Sequence, residues 1–141
     1  MRKMVAALAA AAALAAVPGA GGKHFEPGDL RVCNAERCVP VVRRVPVELL
    51  GRFYYLGPSP SRAPKPPLGA PYYELRFSND YVTGIVAARR LDRFLSYGVY
   101  LERFRRGNWY RVPPKVAAEF RAIAVGLRPL RLTRSAIAKS R

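Results

Sequence analysis

The run from Pro71 to Ala88 leaves little choice but a two-stranded β-hairpin. In Tyr72-Tyr73-Glu74-Leu75-Arg76-Phe77-Ser78, Tyr73, Leu75 and Phe77 share one face, and Glu74 and Arg76 point the other way. Asn79-Asp80 suits a two-residue turn, because both residues tolerate positive φ. Tyr81 to Ala88 then returns antiparallel. Phe77 faces Val82, Leu75 faces Gly84 and Tyr73 faces Val86, so register and apolar side agree. Gly84 opposite Leu75 leaves space for a side chain from another element, or marks a bulge.

Other elements follow from similar signals. Asp29-Leu30-Arg31-Val32 and Val39-Pro40-Val41-Val42 have short strand patterns. Pro46 opens a helix carrying Val47, Leu49, Leu50, Phe53 and Tyr54 at helical spacing, and Gly57 stops it. Gly51 weakens that helix. From Gly57 to Pro67, five of eleven residues are proline, which excludes regular helix and favours extended, exposed backbone. Leu91, Phe94 and Leu95 sit at helical spacing until Tyr97-Gly98 interrupts them. Val99 to Phe104 and Asn108 to Val112 read as the arms of a second hairpin around Arg105-Arg106-Gly107. A helix from Pro114 to Gly126 carries the stripe Val116, Ala117, Phe120, Ile123 and Ala124. Gly126 and Pro129 end it, and Thr133 caps a short basic turn, Arg134 to Lys139.

These elements predict an α+β fold. A small antiparallel sheet of three to five strands packs one face on one main helix, preceded by a cleaved signal peptide. Residues 21–141 form a single small basic domain with a Pro-rich loop at 57–71. The stretch before that loop is too short to fold alone.

Residues 1–20 have the layout of an export signal. Met1-Arg2-Lys3 is basic, the thirteen residues from Val5 to Val17 are all Ala, Leu or Val, and small, turn-forming residues follow. The apolar run is shorter than the roughly 20 residues of a membrane span, so no transmembrane span is expected in the mature chain. The competing reading is a buried Ala-rich helix of the fold. The signal predicts a secreted or extracytoplasmic protein of the cell envelope.

Cys33 and Cys38 fit that address. They flank Asn34-Ala35-Glu36-Arg37 between two strand-like segments, so a tight turn would bring them within disulfide reach. Reduced thiols are the plain alternative. A redox pair more often has two intervening residues, and zinc needs four ligands where His24 is the only histidine. No metal or cofactor is therefore expected.

Charge points to the partner. The chain holds 25 Lys+Arg against 9 Asp+Glu, for a net +16, or +14 without Arg2 and Lys3. In a cytoplasmic protein such a balance suggests nucleic acid. Outside the membrane the available polyanions are an anionic envelope polymer or lipid surface, and no nucleic acid partner is expected in vivo. A high-GC genome, rich in Arg and Ala codons, also produces this composition. Arg103, Arg105, Arg106 and Arg111 are the candidate anion-binding residues, since three lie beside a predicted turn. Tyr97, Tyr100, Trp109 and Tyr110 form the alternative, an aromatic ligand-binding face; a sheet core with solvated arginines is the simpler explanation of the same residues. Scattered carboxylates read as salt-bridge partners, and one histidine on the expected N-terminal tail argues against nucleophilic catalysis. The chain is thus expected to be a non-enzymatic basic protein that associates with an anionic envelope surface, or else a secreted binding module for a protein or small ligand.

Overall fold

The computed structural model describes residues 30–41, 49, 51–53, 57–76, 82–98 and 103–140. The expected signal peptide, the Asn79-Asp80 turn, Tyr100 and most of the helix expected from Pro46 lie outside them. Of that helix, Leu49 and Gly51 are helical, and Arg52 and Phe53 continue in a wider π turn.

The architecture is mixed α+β. Seven strands form one antiparallel sheet: β1 (Arg31–Cys33), β2 (Cys38–Pro40), β3 (Pro71–Arg76), β4 (Val82–Ala87), β5 (Arg93–Ser96), β6 (Trp109–Arg111) and β7 (Leu130–Arg131). Helices α1 (Pro114–Ala124) and α2 (Arg134–Ala138) accompany it. The strand order is β2-β1-β3-β4-β5-β6, and β7 pairs with the start of β3 beyond the end of β1.

The central hairpin has the expected register at Tyr73↔Val86 and Leu75↔Gly84. It then shifts between Leu75 and Arg76, so that Val82 pairs with Arg76 rather than with Phe77. Such an irregularity is how a strand absorbs one extra residue. The gap at Gly84 is filled by the Phe94 ring of the adjacent strand.

Most of the expected partner arm, Val99 to Glu102, lies outside the described residues. Strand β6 pairs with β5, with Phe94↔Tyr110 and Leu95↔Trp109. The apparent helical spacing of Leu91, Phe94 and Leu95 breaks because Phe94 and Leu95 are adjacent strand positions pointing to opposite faces. Phe94 enters one core cluster and Leu95 the other. Arg103 and Phe104 lie in a turn and bend.

Helix α1 buries the predicted stripe of Val116, Ala117, Phe120, Ile123 and Ala124. It packs on one face of the sheet with Val32, Tyr73, Leu75, Val86 and Phe94. Gly126 ends the chain's helical course at φ 77°, a conformation that suits glycine. Tyr73 Oη donates to Leu127 O at 2.9 Å and ties that end of the helix to the sheet.

The opposite face is also covered, contrary to a one-sided sheet. Tyr72, Ile85, Ala87, Leu95, Tyr97 and Trp109 pack with Leu132 and Ala136. Four consecutive residues of β3 and five of β4 are buried. Thr133 Oγ1 accepts from Ala136 N at 3.1 Å and caps α2 as expected. Tyr97 Oη donates to Ala136 O at 2.6 Å, holding α2 on this face. The sheet is therefore the middle layer, with α1 on one side and α2 on the other.

Cys33 and Cys38 form a disulfide across the paired β1–β2 ends. Within the ring Asn34 is buried. Its Oδ1 accepts from Glu36 N at 2.9 Å and Arg37 N at 2.8 Å, and its Nδ2 donates to Arg128 O at 3.1 Å. Arg37 donates to Gly126 O at 3.2 Å. The disulfide loop thus holds the connection that follows α1.

The Pro-rich segment is a strap along the sheet edge. Ala63 N donates to Trp109 O at 3.0 Å, and Arg111 N donates to Ser61 O at 2.8 Å. These two bonds satisfy β6 on the side away from β5. Covering an edge this way removes a template for intermolecular pairing.

Candidate functional site

A cleft of about 720 Å³ lies where the strap leaves the sheet edge. Leu49 and Phe53 form one side, and Gly57 to Ser61 of the strap another. Val112, Pro113, Pro114 and Val116, at the β6–α1 junction, complete the apolar lining. Arg52, Arg103, Arg111 and Asp92 supply its charged groups. A cleft of this size can hold a small ligand.

Each charged group arrives by a different route. Arg111 ends β6 with an alternation that points its side chain outward while Tyr110 and Val112 are buried. Asp92 follows a tight turn in which Leu91 N donates to Ala87 O at 2.9 Å. Leu91 has φ 56°, which is rare for a leucine; its fully packed side chain holds it there. The Asp92 carboxylate lies 3.9 Å from Arg93 Nε, and Arg93 also donates to Pro64 O at 3.3 Å.

Arg103 is the most committed guanidinium. It donates to Arg52 O at 2.7 Å, to Phe53 O at 2.9 Å and to Pro58 O. These are the carbonyls where the 49–53 segment ends and the strap begins. A cation there completes acceptors that a helical end leaves open. Burial lowers the Arg103 pKa below the ordinary arginine value. Its donors hold the cleft wall rather than reaching into it.

The four arginines singled out from sequence therefore differ in role. Arg103 and Arg111 line the same cleft. Arg105 and Arg106 are exposed in the turn before β6 and do not line it. Arg106 donates to Lys139 O at 2.9 Å, just past α2. Arg52 was not anticipated, because its helix was read for its apolar face alone.

A second cleft, about 460 Å³, lies on the other stretch of the strap. Pro66, Pro67, Ala70 and Pro71 face Arg89, Arg90, Asp92 and Arg93 across it. Asp92 borders both clefts. The consecutive arginines of the β4–β5 turn thus join the basic surface, although Arg89 and Arg90 carried no turn-linked signal in the sequence.

The aromatic candidates divide between the two cores. Tyr97 and Trp109 belong to the α2 side and Tyr110 to the α1 side. All three are at most 5 % exposed. Tyr110 meets Phe104 edge-on at 5.1 Å between ring centroids, and its Oη accepts from Arg105 N at 2.8 Å. Burial pushes the Tyr97 pKa well above the usual tyrosine value, with smaller contributions from Tyr72 and Glu74.

Charge is left largely unneutralised. The described residues hold 19 Lys or Arg and four acids, Glu36, Glu74, Asp92 and Glu119. Two ion pairs lie wholly within them, Arg76–Glu74 and Arg93–Asp92. Arg37, Arg103, Arg106, Arg121 and Arg131 instead donate to backbone carbonyls, and Arg93 does so beside its ion pair. A carbonyl satisfies the donors but cancels no net charge.

Among the described residues no cluster of three or more His, Cys, Asp or Glu side chains is placed to hold a metal, and no helix is long and apolar enough to cross a membrane. No protein-family model matches the chain, and no curated protein and no solved structure is significantly similar to it.

Proposed function

We propose that the protein is exported and, without catalysing a reaction, associates electrostatically with an anionic surface of the cell envelope. The observation that carries this reading is the excess of arginine that the fold spends on backbone carbonyls rather than on carboxylates. Each such arginine is positioned and keeps its full charge, so the basic field remains at the surface. The Cys33–Cys38 disulfide is compatible with an extracytoplasmic location. The signal-like sequence at residues 1–20 supplies the address.

The alternative, a ligand module using an aromatic face near Trp109, draws less support. Tyr97, Trp109 and Tyr110 offer almost no exposed ring, and they do not share one face.

The test is binding to vesicles of anionic lipid, to vesicles of neutral lipid and to an anionic envelope polymer, across a salt series. Association with the anionic partners should be measurable at low salt. It should weaken steeply as the Debye length falls from about 30 Å at 0.01 M to about 8 Å at 0.15 M. Replacing Arg89, Arg90 and Arg105 with Gln should weaken it further, because none of these side chains holds a described loop. Absence of binding to every polyanion at low salt would remove the proposal.

A further inference from the structure

The cleft between the strap and the start of α1 combines two things that surface charge alone does not require. Its walls are apolar, from Leu49, Phe53, Val112 and Val116. Its rim carries two guanidiniums, those of Arg52 and Arg111, that form no hydrogen bond or ion pair with any described residue.

A third feature points the same way. Helix α1 begins at this cleft with Pro113 and Pro114, has no side-chain cap and has no acidic residue in its first turn. The first amide to find a backbone acceptor is Ala117 N, on Pro113 O at 2.9 Å. The Lys115 and Val116 amides precede it at the positive end of the helix, where an anion is stabilised. Helix starts usually recruit an Asp, Ser or Thr for this role. This one leaves the position to something else. Asp92, the only described acid lining the cleft, is engaged by Arg93.

We infer that this cleft binds an amphiphilic anion, a phosphate head bearing a hydrocarbon chain. The phosphate sits between Arg52, Arg111 and the start of α1, and the chain lies against the apolar walls. Guanidinium forks match phosphate oxygens in pairs. A chain buried in the cleft adds affinity with each methylene. The inference rests on the surface-association reading above and narrows it: the general field brings the protein to an anionic surface, and the cleft takes one phosphate-headed molecule from it.

The experiment uses the purified, disulfide-bonded protein at 0.15 M salt, where long-range attraction is screened. Calorimetry compares inorganic phosphate with dibutanoyl, dihexanoyl and dioctanoyl phosphatidic acids below their micelle concentrations. Dihexanoyl phosphatidylcholine serves as the zwitterionic control. Affinity should rise along the phosphatidic acid series, by up to about fourfold per methylene buried. Inorganic phosphate and the choline lipid should bind at least tenfold more weakly than dihexanoyl phosphatidic acid. Joint Arg52→Gln and Arg111→Gln should lower phosphatidic acid affinity at least tenfold without changing the melting temperature, since neither guanidinium supports the fold. Joint Arg128→Gln and Arg134→Gln removes the same charge away from the cleft: Arg128 lies past the far end of α1, a helix about 16 Å long, and Arg134 is on α2. That pair should leave phosphatidic acid affinity within about twofold.

No dependence on chain length, equal losses from both pairs, or no binding of any short-chain phosphatidic acid would overturn the inference. Salt-sensitive vesicle binding in such a case would leave the broader proposal standing. Cleft binding without vesicle binding would do the reverse.

Discussion

Gly84 and Phe94 occupy one space. A Cβ on Gly84 would lie 2.5 Å from Phe94 Cε2 and 2.3 Å from the Leu95 carbonyl oxygen. Phe94 in turn meets Phe53 and Phe104 edge-on, at 5.9 Å and 5.2 Å between centroids. The missing side chain leaves room for this ring between Gly84 and the rings of Phe53 and Phe104. Gly84→Ala should therefore cost about 3 kcal/mol, at the upper end for overpacking, because the backbone carbonyl cannot yield as a flexible side chain would. Urea unfolding of the two proteins measures it.

The disulfide and Asn34 act on one loop by different means. Reducing Cys33–Cys38 should lower stability by about 2 kcal/mol, the chain-entropy value for so short a ring. Asn34→Ala should also cost about 2 kcal/mol, since it leaves two loop amides and the Arg128 carbonyl without their partner. Asn34→Asp keeps both acceptor bonds and loses the donor to Arg128, so it should fall between. Denaturant midpoints with intact disulfide rank the three proteins.

Arg103 is expected to be structural. Arg103→Met removes its bonds to the carbonyls of Arg52, Phe53 and Pro58. The loss should be about 2 kcal/mol, and proteolysis within residues 57–61 should accelerate. Arg103→Lys should recover only part, because an ammonium lacks the fork that reaches separated acceptors. Full recovery by lysine would show that charge alone suffices.

Alkaline pH should destabilise the fold selectively. Burial raises the pKa of Tyr72, Tyr73 and Tyr97 above the ordinary value of 10.0. The unfolded chain then releases phenolic protons at a lower pH than the folded one. Stability is therefore fully present below about pH 10 and declines as pH rises beyond it. Denaturant unfolding at several pH values, followed with tyrosinate absorbance, should show these phenols ionising together with unfolding. Tyr97→Phe should reduce the slope.

Much of the local structure was legible from residue order. The α1 stripe from Val116 to Ala124, the Gly126 stop, the Thr133 cap and the Cys33–Cys38 turn all depend on neighbours within a few positions. The central hairpin register was legible up to Leu75, where alternation and pairing coincide. It failed at Val82, because the register shift spends one residue without altering the apolar pattern. The β5 strand was obscured for a related reason: Phe94 and Leu95 are both buried, on opposite faces, so no alternation marked them.

The sequence by itself determined the charge, the export-like start, the disulfide partners and the amphipathic helix, since each is a property of composition or short spacing. Tertiary structure alone decided that the sheet is covered on both faces, with Tyr97 and Trp109 in one core and Tyr110 in the other. It also decided which arginines meet an acceptor among the described residues. Arg103 turns to the carbonyls of residues some fifty positions earlier, whereas Arg52 and Arg111, 59 positions apart in the chain, come to border one cleft. Hydrogen-bonding capacity is written in each residue, but which donors meet an acceptor depends on how the chain closes on itself.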